Sequence, residues 1–233
     1  MEEKLLQMKS LVERLNQASD SYYNGKGELM TDYEWDALFD QLKRLEEETG
    51  EILPDSPTNR VSEDSIVGKK EEHEFAALSL AKTKQVSDLV KWAEDRPIWI
   101  SWKLDGLTLV VTYDGGKLTK IVTRGNGHIG TNITHLAPAI SGIPATISEK
   151  GHLVVRGEAV ISYTDFEQFI IESEGDYANP RNLASGSLTL KDIDEVKQRH
   201  IQWIPFTLVY TERELTSWGE RMQMLRDLGM NPV

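Results

Sequence analysis

The chain has 233 residues, 39 % hydrophobic and 27 % charged, which is enough to bury a sizeable core and unlike a disordered polymer. A formal net charge of −12 excludes a basic, stand-alone nucleic-acid binder, because Lys and Arg supply most of the affinity for phosphate. No apolar run approaches the roughly 18 residues of a membrane span, MEEKLLQMKS is too charged for a secretory signal, and the lack of cysteine excludes disulfides and thiolate zinc sites within the chain.

The acidity is uneven. Residues 1–75 carry 9 Lys/Arg against 19 Asp/Glu, a net of −10; the remainder carries 17 against 19, a net of −2. Residues 2–19 place Leu5, Met8, Leu11, Val12 and Leu15 at helical spacing. SYYNGKGELM breaks that pattern, and TDYEWDALFDQLKRLEEE resumes it, with Thr31 and Glu34 spaced as a capping box and Trp35, Leu38, Phe39, Leu42 and Leu45 as an apolar stripe. GEILPDSPTNRVSEDS has no period and reads as a linker, with a domain boundary near residues 60–72. VSDLVKWAED predicts a short helix. PIWISWK, LTLVVTYD and KLTKIVTRG predict three strands, the last two joined at Asp114-Gly115-Gly116. HLVVRGEAVI predicts a strand, YTDFEQFIIES a helix capped at Thr164, IQWIPFTLVY a strand, and LTSWGERMQMLRDLG a helix boxed by Ser217 and Glu220 and stopped at Gly229. The order predicts an α+β protein: a helical head, then a domain built on antiparallel sheet.

Five stretches carry residues with chemical uses. Lys103 and Asp105 lie in WKLDG, after a segment containing Trp99 and Trp102. A partly apolar strand end would help make a lysine neutral and nucleophilic. The plainer alternative is a solvent-facing lysine beside a turn, and Lys-x-Asp-Gly arises by chance about once in twenty chains of this length. In TRGNGHIG, Arg124 stands among three glycines; this is either a phosphate- or ribose-clamping loop or a flexible one. Glu158 interrupts an apolar strand, so it needs a partner: a ligand hydroxyl, a metal ion, or Arg156 two residues away on the same face. Arg181, in YANPRNLASGSL, either reaches a phosphate or decorates a helix start. In the head, Tyr22, Tyr23, Asp32, Trp35 and Asp36 combine rings with carboxylates, either a cradle for a cationic heterocycle or ordinary core and surface.

Taken together in chain order, DYEWDAL, PDSPTNRV, ALSLAKT, WKLDG, TRGNG, VVRGEA and YANPRNLASGSL resemble the N-terminal portion of the bacterial NAD-dependent DNA ligases, from about residue 10 to the chain end. The resemblance implies a helical NMN-recognition head (residues 1–68) on an antiparallel-sheet nucleotidyltransferase, or adenylation, domain of the ATP-grasp-like DNA ligase type (residues 69–233). It implies that Lys103 attacks the α-phosphate of NAD, releasing NMN and keeping AMP as a phosphoramidate. The AMP would pass to the 5′-phosphate of nicked double-stranded DNA and be displaced by the 3′-hydroxyl. Asp105 would orient the lysine and a Mg2+ ion; Ser79, Leu80, Arg124 and Glu158 would contact the dinucleotide. Arg181 would lie near the phosphates, and Tyr22, Tyr23, Asp32, Trp35 and Asp36 would form the NMN face. A cytoplasmic monomer serving DNA replication and repair, with no membrane partner, is expected.

Four departures from the family pattern stand out. Ser101 replaces a glutamate that reads the adenine amino group, Asn126 replaces the aspartate of Arg-Gly-Asp-Gly, Thr189 stands at an expected basic position, and Trp35 replaces a tyrosine. The later Asp-Gly-x-Val-x-Lys and lysine motifs do not occur; the Asp-Gly pairs are at 105 and 114. The chain is therefore expected to be a fragment that binds NAD or NMN, self-adenylates poorly and does not seal nicks. The alternatives are a catalytically crippled NAD/NMN-binding module and a lysine nucleotidyltransferase that uses ATP.

Overall fold

In the computed structural model the described residues are 2–23, 29–58, 66, 68–78, 82–173 and 177–233. Helix α1 spans Glu2–Tyr23 and α2 spans Asp32–Thr49. Their apolar stripes meet as expected: Met8, Leu11, Val12 and Leu15 pack on Leu42 and Leu45, with Trp35, Leu38 and Phe39 alongside. Thr31 and Glu34 complete the capping box, and Gly50 closes α2 in left-handed backbone. The Pro-rich segment is less free than its composition predicts. Ser56 and Thr58 donate to the two carboxylate oxygens of the buried Glu46, at 2.5 and 2.8 Å, and Asn16 donates to the Asp55 carbonyl. Residues 53–58 thus stay fastened to the head; residues 59–65 lie outside the described residues.

The second core is a four-stranded antiparallel sheet. Its strands are β2 (Leu107–Asp114), β3 (Lys117–Thr123), β5 (Leu153–Val160) and β6 (Gln202–Thr211), in the order β3-β2-β5-β6. One face, with Leu109, Val111, Tyr113, Leu153 and Val155, packs on helices α5 (Pro180–Ser187) and α7 (Trp218–Asp227) and the 3-10 turn at Thr134–Ala139. The other face buries Val110 and Val154 under Phe75, Ala77 and Tyr210. Central strands covered on both sides explain why VV and LVV run without a break in apolar character. The outer edge of β6 is closed by the chain itself: Trp203 N–H donates to the Ser141 carbonyl, and Val233 N–H donates to the Pro205 carbonyl.

The remaining elements are β1 (Lys70–Glu72), paired with β4 (Ile129–Thr131), and helices α3 (Val86–Ala93), α4 (Tyr163–Ser173) and α6 (Ile193–Lys197). Two expectations need correction. Helix α4 is capped by Ser162, whose hydroxyl accepts from Asp165 N–H at 3.0 Å; Thr164 already lies inside the helix. The strand expected at PIWISWK does not form, and residues 97–104 carry no regular secondary structure and join no ladder. Strand β2, which they enter, already has β3 on one edge and β5 on the other, so a hairpin back onto it has no free donors or acceptors.

Candidate active site

The site begins at Gly106, where the chain enters the sheet. An added Cβ there would lie 2.1 Å from the Ala159 carbonyl oxygen, so only glycine lets β2 start this close to β5. The closeness lets Gly106 N–H donate to Glu158 Oε1 at 3.2 Å, while the Thr108 hydroxyl donates to Oε2 at 2.8 Å. Thr108 is the register partner of Glu158 across β2 and β5. Glu158 is 8 % exposed. Burial pushes its carboxyl above the usual range, against the pull of Thr108, of the charges of Arg181 and Arg124, and of Gly106. Arg156, the same-face partner considered from sequence, is engaged elsewhere: it donates to the carbonyls of Phe75 and Ala76.

One residue before Gly106, Asp105 joins three elements. Arg181, at the start of α5, donates to its Oδ1 at 2.8 Å; the Tyr22 hydroxyl, from the end of α1, approaches Oδ2 at 3.5 Å; and the guanidinium sits 5.6 Å from the Tyr22 ring centroid. Asn179 supports this by capping α5, its side chain accepting from Asn182 N–H. Arg124 leaves β3 with its N–H on the Thr108 carbonyl and its own carbonyl on the His73 ring. The loop after it is tight: a Cβ on Gly125, at φ 54, would meet the Ile129 carbonyl oxygen at 1.9 Å. Asn126 holds the turn by accepting from His128 and Ile129 N–H, a role its side-chain oxygen performs as an aspartate would.

Lys103 and Ser101 are exposed on this unpaired segment, as are Trp99 and Trp102. The apolar strand end expected to enclose Lys103 is therefore absent, because the tryptophans find no covering face when the strand does not pair. On α2, Trp35 stacks on Phe39 with centroids 5.0 Å apart and turns its indole N–H inward to Leu15 and Ser19. Asp36 is bound by Lys82 at 2.7 Å and Lys84 at 2.9 Å; burial pushes its carboxyl up, and the two lysines outweigh that and hold it below its usual value. Tyr23 closes α1 and Asp32 opens α2, but their side chains, like Ser79 and Leu80, lie outside the described residues. Sequence reasoning missed Gly106, Thr108, Lys82 and Lys84. A glycine before a strand was visible; the Thr108 and lysine contacts depend on pairings tens of residues away.

Among the described residues no group of three or more His, Asp or Glu is placed to hold a metal ion, and no helix is long and apolar enough to cross a membrane.

The sequence that builds this head and this sheet matches two known domain families. A family model described as the NAD-dependent DNA ligase adenylation domain matches residues 69–233, and one described as the DNA ligase-like N-terminal NAD+-binding domain matches residues 1–62. The chain belongs to the NAD-dependent DNA ligase family. Its relatives include the DNA ligase of Lachnoclostridium phytofermentans, 40 % identical over all of this chain and 37 % of that protein, and the DNA ligase of Ruminiclostridium cellulolyticum, 40 % identical over all of this chain and 36 % of that protein. The DNA ligase of Leptospira biflexa is 39 % identical over 83 % of the chain and 30 % of that protein. The chain thus spans about a third of the length of these relatives.

Proposed function

We propose that this chain is the NAD-binding and adenylating portion of a DNA ligase, with residues 1–68 as the NMN-recognition head and 69–233 as the adenylation domain. Lys103 Nζ, once deprotonated, attacks the α-phosphate of NAD. The P–N bond forms as the bond to the NMN phosphate breaks, leaving lysyl-AMP; in the longer protein the AMP then goes to the 5′-phosphate of nicked DNA. The observation that carries this reading is the convergence at Gly106, three residues after Lys103: Glu158 accepts from its N–H, the adjacent Asp105 is held by Arg181, and the charge of Arg124 acts on Glu158. Covalent catalysis by a lysine splits one hard transfer into two easier ones.

Arg181 and Arg124 serve as phosphate or ribose clamps, and Glu158, held by two donors, presents a fixed carboxylate edge. Asp105 and Glu158 offer the one or two hard oxygens that proteins commonly contribute to a phosphate-bound Mg2+, which would neutralise phosphate charge. In the head, Tyr22, Trp35 and Asp36 suit a pyridinium ring, with Tyr23, Asp32, Ser79 and Leu80 assigned to the same dinucleotide by their place in the sequence. A cytoplasmic monomer acting in replication and repair fits this role.

The exposure of Lys103 favours a second, narrower reading: the portion binds NAD but adenylates itself slowly. Intact-protein mass spectrometry after incubation with NAD and Mg2+, beside ATP and a Lys103→Ala control, tests both. A gain of one AMP from NAD alone, absent in the variant, is the expected result of the first reading. Binding of NAD with no adduct leaves the narrower one, and an adduct that persists in Lys103→Ala removes the lysine from the mechanism.

A further inference from the structure

The acidic and aromatic face of the head is already filled by cations from the segment that leads into α3. Lys82 Nζ lies 2.7 Å from Asp36 Oδ1 and Lys84 Nζ lies 2.9 Å from Oδ2, so each carboxylate oxygen has its own ammonium. Lys82 Nζ also sits 5.4 Å from the Trp35 ring centroid and 5.1 Å from that of Phe39; Lys84 Nζ sits 5.8 Å from the Tyr33 ring. These are the distances at which a ring face attracts a cation. Asp36 in turn holds the Lys84 ammonium above its usual range. Residues 82–84 lead into α3, so the contact ties the head to the sheet domain.

We propose that Lys82 and Lys84 form an internal cationic strap that occupies the place of a ligand's pyridinium ring and has to leave before nicotinamide mononucleotide binds the head. The proposal rests on the assignment of that face to NMN. A further positive group cannot join the two lysines at this carboxylate and ring stack without added repulsion. The strap is the closed state and ligand binding selects the open one. A receptor closed nine-tenths of the time binds about tenfold more weakly than its open form. The device makes the head discriminate by charge: a neutral dihydropyridine ring does not offer Asp36 the charge it gives up when the lysines leave.

Calorimetric titration of the 233-residue chain with NMN, against Lys82→Met/Lys84→Met, is the direct test. Methionine keeps most of the side-chain length and removes the charge at two exposed positions, so folding is not at stake. The expected result is about tenfold tighter binding by the double variant. Equal or weaker binding overturns the strap and leaves the NMN assignment intact. A second readout needs no ligand: trypsin cuts after lysine, so Asp36→Asn is expected to speed cleavage after Lys82 and Lys84 several-fold. In the wild type, NMN is expected to do the same. Unchanged cleavage in Asp36→Asn overturns the closure itself. No NMN binding to any form overturns both the strap's competing role and the functional reading of the head, an outcome distinct from equal binding.

Discussion

Residues 97–104 and strand β5 carry similar sequences. PIWISWKL and LVVRGEAV each contain branched or aromatic residues at high density, a basic residue and no internal turn signal. Their fates differ. β5 lies between β2 and β6 with Leu153, Val155 and Ala159 fully buried, whereas Ile100 is 85 % and Trp102 83 % exposed. β-Propensity describes how well side chains fit a pleated, half-covered surface; it does not create the neighbour that completes the ladder. The two regions also divide the site. The carboxylate of Glu158 sits on the covered strand with both oxygens bonded, and Lys103 sits on the uncovered segment.

Substitutions can break or sharpen this contrast. Leu153→Ala removes a fully buried side chain from β5 and is expected to cost about 3 kcal/mol in urea unfolding; a cost below about 1 kcal/mol would mean the strand is not the core it looks to be. Glu158→Gln tests the covered carboxylate more gently. The amide can still accept from Gly106 N–H and donate to the Thr108 hydroxyl, so stability at neutral pH should change by no more than about 1 kcal/mol. Its pH dependence should change more clearly. A carboxyl raised above its ordinary 4.5 favours the folded state when protonated, so the wild type gains stability relative to Glu158→Gln in acid and loses that gain as pH rises through the raised value. An unchanged difference between the two proteins across that range would argue against a buried, strained charge.

A smaller effect belongs to His152, which bridges Asp114 at 2.6 Å and Glu74 at 2.8 Å and thereby clips the segment before Phe75 to the β2–β3 hairpin. Asp114 raises the imidazole, and the imidazole lowers Asp114. The clip's contribution is therefore complete below the ordinary imidazole value of 6.5 and fades as pH rises through the raised one; on the acid side it fades as pH falls below 3.8 through the depressed Asp114 value. Thermal unfolding of His152→Gln should lack the alkaline-side decline. The smallest effect is expected at the uncovered segment: Ile100→Ser should alter stability by less than about 0.5 kcal/mol, and a loss several times larger would reveal a covering surface for residues 97–104.

Much of the fold was legible because its signals are local. Helical spacing and the Thr31 and Ser217 capping boxes placed α2 and α7, and alternation with Gly115-Gly116 placed the β2–β3 hairpin. The errors arose where a distant partner decides. The false strand at 97–104 lacked an edge to join, and β1, spelled Lys-Glu-Glu, has no apolar signal and exists because β4 pairs with it. The site divides the same way. Asp105, Arg181 and Glu158 could be singled out from residue type, but the Thr108 bond, the Tyr22 contact and the lysines on Asp36 follow from register and from how the head meets the sheet.

The far edge of β6 has a consequence for the molecule's behaviour in a crowded solution. Pro205 has no N–H to offer outward, its carbonyl is taken by Val233, and Ser141 bridges at Gln202 and accepts from the Trp203 N–H. A strand of ten residues rich in Val, Ile and aromatic side chains would otherwise template a second chain. With its donor row interrupted at the middle, β6 is a poor seed for intermolecular sheet growth, and concentrated samples should resist aggregation through that edge even while the tryptophans of residues 97–104 stay in contact with water.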